Sequence, residues 1–275
     1  MSHFVQASSA GSFRQDLVRW RQLVTPGWLA RLLAGESVEA TPAGAFRLIE
    51  VASAAWSRFE QGHIPGAAYL DTGELETPPL FNKIDDAALL AVLLRHGIRH
   101  DTTVILYGRG ALAAARAAHL MLYAGVADVR LLDGGLSAWS AAGLALQAGS
   151  ASVVAADSFG APFPGCPDYL VDMAGVRQLM HAQHASLVSI RTWREHAGLT
   201  SGYSYIAACG EIPGARWGRA GREGDVNSMS LYQQADTSMR AARQIDAMWR
   251  SAGIVAGRRT VFYCGTGWRA SLAFF

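Results

Sequence analysis

The sequence predicts an α/β protein of two successive units, each a parallel sheet flanked by helices. Three observations predict it. A GHIPGA segment at 62–67 returns as GEIPGA at 210–215, 148 residues further on. Around both copies, short apolar runs alternate with helix-patterned stretches, as in a parallel sheet with crossover helices. The order of parts is also the same each time: apolar run, proline-glycine turn, second apolar run, glycine-rich turn, helix. Repetition at this spacing marks a duplicated domain rather than a short solenoid repeat.

Each element follows from local chemistry. In the first unit, FRLIEV at 46–51 is an apolar run ahead of GHIPGA. Asp85 and Asp86 cap a helix over 87–95, and Gly97 ends it. Residues 104–107 read as a buried strand. Gly108-Arg109-Gly110 turns that strand into an alanine-rich helix over 111–123. Residues 129–132 form the next strand, and Asp133-Gly134-Gly135 leads into a helix around Trp139. In the second unit the pattern predicts a helix over 173–184, a strand over 187–190, and a helix over 239–251 ended by Gly253. A strand over 261–263 and a helix from Trp268 follow. Residues 147–167, rich in Ala, Ser, Gly and Pro, read as a linker. The polar stretch 221–237 reads as a long surface loop. The organisation is therefore an N-terminal extension (1–22), a first unit (23–146), a linker (147–167) and a second unit (168–275).

Tyr107 and Tyr263 hold equivalent places, 156 residues apart. The Asp-Gly-Gly turn should then recur near position ~289 by the same repeat, whereas the sequence has 275 residues. The expectation is a second unit lacking a strand and a helix, a last helix exposing Phe274 and Phe275, and a chain that is a fragment of a longer protein.

Composition excludes several function classes. At 51% hydrophobic residues, the chain is not broadly disordered. Lys and Arg (24) nearly balance Asp and Glu (22), which argues against an extended nucleic-acid surface. No run approaches the roughly 18 apolar residues of a membrane span, and residues 1–20 lack the apolar core of a secretory signal. Three cysteines, Cys166, Cys209 and Cys264, make no disulfide framework and no zinc-ligand spacing.

The chemistry concentrates in Tyr263-Cys264-Gly265-Thr266-Gly267-Trp268-Arg269. A cysteine ends a buried strand, two glycines follow, and a helix opens. Successive N–H groups of such a loop can curl round the sulfur as an anion-binding concavity. Gly265 and Gly267 permit close approach and positive φ, and Arg269 adds a fixed charge at the rim. Cys166 and Cys209 have no such cradle. Cysteine phosphatases place five residues between Cys and Arg and usually a His before the Cys. Here four residues separate Cys264 from Arg269, and Tyr263 takes the place of the His. The tighter ring suits an extra sulfur on the cysteine better than a tetrahedral phosphate.

The segments GHIPGA (62–67), LLDGGLSAW (131–139), GEIPGA (210–215) and CGTGWR (264–269) resemble the rhodanese-type sulfurtransferases with tandem rhodanese domains. HGIRHDTTVILYGR (96–109), SGYSYI (201–206), GEIPGARWGRAG (210–221) and FYCGTGWRAS (262–271) are similar to the bacterial three-domain thiosulfate sulfurtransferases. The resemblance runs from about residue 23 to 275. It implies a further domain of the same kind and an export signal ahead of Met1, hence a periplasmic address that these residues do not themselves carry.

The resemblance also implies roles. Cys264 takes a sulfane sulfur and becomes a persulfide, without metal or organic cofactor. Gly265, Thr266, Gly267, Trp268 and Arg269 surround that sulfur with N–H groups, and Arg269 orients an anionic donor. Arg191 either adds positive charge near the pocket or is held in an ion pair with a neighbouring carboxylate. Ser189 and Glu211 depart from the usual Asp and His of the family, at positions read as structural. The first unit has Gly108 or Tyr107 in place of the nucleophile, and no cysteine lies in 1–165. Its expected role is to pack against the second unit and wall the site, with Arg109 solvated. Partners are a small anionic sulfur donor, thiosulfate or 3-mercaptopyruvate, and a thiol or cyanide acceptor, with no nucleic acid and no membrane. A cysteine phosphatase or arsenate reductase, and a non-enzymatic sulfur-carrier module, stand as alternatives.

Overall fold

The computed structural model describes residues 13–17, 19–150, 152–180, 185–255 and 259–275. The first half holds a five-stranded, all-parallel sheet in the order β1-β7-β6-β2-β3. Its strands are β1 (Leu23–Val24), β2 (Phe46–Ala52), β3 (Ala68–Asp71), β6 (Thr103–Tyr107) and β7 (Asp128–Leu132). A small antiparallel hairpin, β4 (Glu76–Thr77) with β5 (Asn82–Lys83), stands apart from the sheet. In the second half β8 (Ala185–Ser189), β9 (Arg216–Trp217) and β10 (Arg259–Tyr263) form a parallel sheet in the order β10-β8-β9.

The strand period of two sends alternate side chains to opposite faces. Ile49, Val51, Val104 and Leu106 enter one core, with Leu89 and Leu93 of α3 (Asp86–Arg95) and nearly all of α4 (Ala111–Ala124). Leu48, Ile105 and Tyr107 enter the other. There they meet Trp28 of α1 (Pro26–Leu33), Phe59 of α2 (Trp56–Gln61) and Trp139 of α5 (Gly135–Ala141). Helices on both faces explain why β6 is buried throughout.

The first core continues into the second half through Val188, Ile190, Met229, Tyr232 and Leu272. The joint is α4 packed on α9 (Trp268–Phe274). Small alanines let the two backbones approach. Phe274 is half-buried, meeting the rings of His119 and Tyr169 edge-on at 5.1 and 5.2 Å, and Phe275 packs on the same core. The expectation that these two phenylalanines stand exposed is thereby corrected: the first half supplies their cover.

Strands β10, β8 and β9 correspond in order to β6, β2 and β3. Counterparts of β7 and β1 are absent among the described residues, so β10 is an edge strand there and partly exposed. Three helices are as the sequence predicts within a residue or two: α3, α4 and α9. The predicted helix over 173–184 is α6 (Met173–Met180), residues 181–184 lying outside the described residues. The helix predicted from 239 begins later, as α8 (Ala242–Ser251). Met239 instead bridges Gln233, and Arg240 N–H donates to Tyr232 O, so the chain is extended there. The segment 147–167 is tied down rather than loose: Gln147 pairs with His63, Phe159 is buried, and Cys166 N–H donates to Tyr123 O.

Two buried titratable groups of α4 face α9. His119 donates from Nε2 to Tyr169 O at 2.7 Å, which leaves Nδ1 as acceptor toward Arg116 at 3.3 Å. Burial, with the Arg116 charge adding to it against the Tyr169 hydrogen bond, pushes its pKa down from 6.5 to about 4. The folded value lies below the unfolded one, so in this window the unfolded chain binds a proton that the folded chain refuses. Stability is therefore expected to fall as pH drops from 6.5 toward about 4, by about 3 kcal/mol at the limit. Thermal midpoints across that range check it, and His119→Gln should flatten the slope.

Candidate active site

Cys264 follows the last residue of β10, and Gly267, at φ +91°, leads into α9. The Gly267 N–H donates to Cys264 Sγ at 3.1 Å. The loop therefore curls back on its own sulfur, as the glycine spacing predicts. A side chain at Gly267 would be strained by the positive φ and would press on Arg116 Nη1 at 3.2 Å.

Arg269 lies elsewhere than at the rim. It is 1% exposed, and its two terminal nitrogens reach the two Glu195 oxygens at 2.8 and 2.7 Å. Glu195 is the third residue of α7 (Trp193–His196), where its backbone and side chain complete a capping box with Thr192. A buried carboxylate needs a charged partner, and the loop arginine supplies it. Burial would lower the Arg269 pKa, but the Glu195 hydrogen bonds and the nearby Cys264 and Tyr203 raise it. The expected contact between Arg269 and a donor gives way to a brace: its guanidinium anchors the loop from within and still acts on Cys264 as a fixed positive charge.

Arg191 resolves in favour of the ion pair. It donates to Ser189 Oγ, Gly210 O and Glu211 Oε2, each at 2.9 Å, with its guanidinium 5.4 Å from the Tyr263 ring centroid. Ser189 and Glu211 thus serve each other through Arg191, and His196 shares the Glu211 carboxylate.

Several neighbours escape the sequence reading. Tyr203 lies against Gly265, with its hydroxyl accepting from Arg269 Nη2 at 3.3 Å and bonded to Thr266. Burial chiefly, and the Cys264 charge, raise its pKa against Arg269, so the phenol stays protonated and able to donate beside the sulfur. Tyr205 packs on Tyr203 at 5.4 Å, and Phe81, from the β4–β5 hairpin, on Tyr205 at 5.8 Å. Glu76 of the same hairpin accepts from Trp268 Nε1 at 2.7 Å. The first half does wall the loop, with specific residues.

A methyl group at Gly265 would overlap the Tyr203 ring. Gly265→Ala should force the ring aside and break its hydrogen bonds, lowering turnover about 10- to 100-fold in a chain whose circular dichroism is unchanged. Steady-state assays of the purified variant check it.

The equivalent place in the first half is closed. Its turn, Gly108 to Gly110, is one residue shorter than Cys264 to Gly267, and Tyr107 is buried. Arg109, expected to be solvated, instead grips the buried Glu50 at 2.7 Å and the Arg58 and Gly62 carbonyls. A stretch of the second half binds the neighbouring Asp133-Gly134-Gly135 turn: Met239 N–H donates to Asp133 at 2.7 Å, and the Thr237 hydroxyl to Gly134 O at 3.1 Å.

Known proteins share this fold. A family profile for the rhodanese-like domain matches residues 25–142. The chain is 52% identical over 269 residues to the thiosulfate sulfurtransferase YnjE of Escherichia coli K12, covering 98% of this chain and 61% of that protein. The crystal structure of YnjE superposes with a TM-score of 0.89 at 53% identity, covering 92% of this chain and 61% of that one. A probable 3-mercaptopyruvate sulfurtransferase of Pseudomonas aeruginosa is 31% identical over 224 residues, 76% of this chain and 72% of that protein. A structure of EanB, a Tyr-to-Phe variant with a cysteine persulfide in a tetrahedral intermediate state with ergothioneine, superposes with a TM-score of 0.88. That match is 34% identical and covers 93% of this chain and 63% of that one. The chain spans about three fifths of the YnjE length. A cysteine-free parallel α/β half, a second half whose loop folds back on a cysteine, and identities of this extent along nearly the whole sequence have one common source: the chain belongs to the rhodanese family.

Proposed function

We propose that the chain transfers sulfane sulfur through Cys264, with thiosulfate as donor. The Cys264 thiolate attacks the outer sulfur of thiosulfate. The S–S bond of the donor breaks, its electron pair leaves with sulfite, and a cysteine persulfide remains. Cyanide or a thiolate then attacks the outer persulfide sulfur, taking it as thiocyanate or a new persulfide and returning the thiolate. No redox partner is needed. The observation that carries the reading is the Gly267 N–H on Cys264 Sγ, inside a loop one residue shorter from Cys264 to Arg269 than that of the cysteine phosphatases. Arg269 and the protonated Tyr203 supply positive charge and a donor beside it. Under this reading, residues 23–146 are a nucleophile-free rhodanese-like unit, 147–167 a connecting segment and 168–275 the sulfur-transfer unit.

The uncharged Gly265-Thr266-Gly267 also suits 3-mercaptopyruvate, and a probable 3-mercaptopyruvate sulfurtransferase is among the proteins similar in sequence. Two half-reactions on one covalent intermediate predict ping-pong kinetics. Double-reciprocal plots for thiosulfate at several cyanide concentrations should be parallel. Intersecting lines, or hydrolysis of a generic phosphate ester that Cys264→Ser abolishes, would instead support a ternary mechanism or a phosphatase.

A further inference from the structure

The half without a nucleophile places a buried ion pair directly beneath the sulfur-binding loop. Glu76, on β4, is 3% exposed, and Arg116, on α4, is 5% exposed. Arg116 Nε donates to Glu76 Oε1 at 2.6 Å, and Trp268 Nε1 donates to Glu76 Oε2 at 2.7 Å. Both carboxylate oxygens are thus occupied, one by each half of the chain. The Arg116 guanidinium also lies under the Gly267 Cα, where even a methyl group would crowd it. Gly267 and Trp268 are consecutive, and Gly267 is the residue whose N–H meets Cys264 Sγ. The pair therefore touches the loop at the sulfur's hydrogen-bond donor and at the next residue. Arg116 is fixed in turn by His119. A buried ion pair gives little net stability compared with an apolar replacement, so packing alone does not account for it here.

We propose that Glu76 and Arg116 are positioning residues for sulfur transfer, holding Gly267 and Trp268 so that the Gly267 N–H stays on the Cys264 sulfur. This rests on the persulfide reading for its kinetic consequence, but not for its effect on the thiol. Glu76 acts through the Trp268 indole and Arg116 through the Gly267 backbone. On this view the first half completes the site from outside the unit that carries the nucleophile.

The experiment compares wild type, Glu76→Gln, Trp268→Phe and the double variant. Glu76→Gln removes the charge that pairs Arg116 and is open to misfolding. Trp268→Phe leaves both members of the ion pair in place and removes the indole donor with part of the ring, so it keeps the proposal testable. Two readouts are taken on the folded proteins. The first is the rate of Cys264 alkylation by iodoacetamide, which needs no sulfur donor. The second is turnover with thiosulfate and cyanide, split into kcat and KM. Trp268→Phe should slow alkylation several-fold and lower kcat about tenfold, with KM for thiosulfate changed less than about twofold. The double variant should be no worse than the poorer single variant, because the one acceptor oxygen left by Glu76→Gln cannot serve both Arg116 and Trp268, so both changes act on the shared Glu76–Trp268 contact. Wild-type alkylation and kcat in Trp268→Phe would overturn the proposal, as would losses that simply multiply in the double variant. A wild type that alkylates normally but accepts no sulfur from thiosulfate or 3-mercaptopyruvate would sink the persulfide reading instead, while the alkylation rates still judge the positioning role.

Discussion

Cys264→Ser is expected to lose sulfur transfer by at least ~10⁴-fold, the scale on which removal of a covalent nucleophile is felt. A serine hydroxyl is neutral at neutral pH and cannot carry a sulfane sulfur as a stable leaving partner, so neither half-reaction has a route. The substitution is nearly isosteric. Gly267 N–H can still donate to the serine oxygen, and the Arg269–Glu195 brace is untouched. The variant should therefore melt within a few degrees of wild type. Cys166→Ser and Cys209→Ser supply the contrast. Cys166 is half-buried, and Cys209 is exposed with a long contact to Ala207 O at 3.7 Å. Both variants should keep wild-type turnover. Rates of thiocyanate formation for the three single variants check all of this, and residual activity in Cys264→Ser above a few parts in ~10⁴ would place the nucleophile elsewhere.

Arg269→Ala is expected to be the most destabilising single change in the site, costing about 3–5 kcal/mol. It leaves the Glu195 carboxylate, 1% exposed, without its bidentate partner. It also removes one of the loop's inward anchors, the Trp268–Glu76 hydrogen bond being another, and takes from Tyr203 the donor that reaches its hydroxyl. Arg269→Lys should recover part of the stability but little of the activity, because one ammonium cannot span two oxygens. The same pair sets an acid limit. Burial alone would raise the Glu195 pKa; the Arg269 hydrogen bonds and charge and the Thr192 N–H lower it below 4.5. A folded pKa below the unfolded one means that this stabilisation is fully present above about pH 4.5 and is lost as pH falls through the lower folded value. Urea unfolding of wild type and Arg269→Ala at pH 7 measures the cost. Repeating it below pH 4.5 should narrow the gap. A constant gap across both conditions would mean that the pair does not carry this linkage.

The backbone course of the loop was readable from sequence because it is local. Cysteine, two glycines and the following helix fall within six residues, and their backbone consequences do not depend on distant partners. The strands β6 and β7 and the helices α3, α4 and α9 were readable for a similar reason, each being a continuous apolar or alanine-rich run between turn residues. Short elements were missed: β3, β9 and α7 are too brief for a period to show. Yet Thr192 followed three residues later by Glu195 is a capping-box signature that could have placed α7. It could not have shown that Glu195 would claim Arg269, because that contact joins residues 74 positions apart. Glu76 with Trp268 joins residues 192 apart. Arg269 was misjudged because a charged residue beside a nucleophile reads as a ligand for substrate, when burial makes it a partner for a protein carboxylate.

On the proposed mechanism, Cys264 carries the transferred sulfur. The most direct test is the intact mass of the purified chain after thiosulfate treatment, beside Cys264→Ser handled identically. One added sulfur is expected on the wild type, removed by cyanide with release of thiocyanate, and none on the variant. An adduct of equal size on Cys264→Ser would contradict it, as would no adduct from either thiosulfate or 3-mercaptopyruvate on a folded wild-type chain.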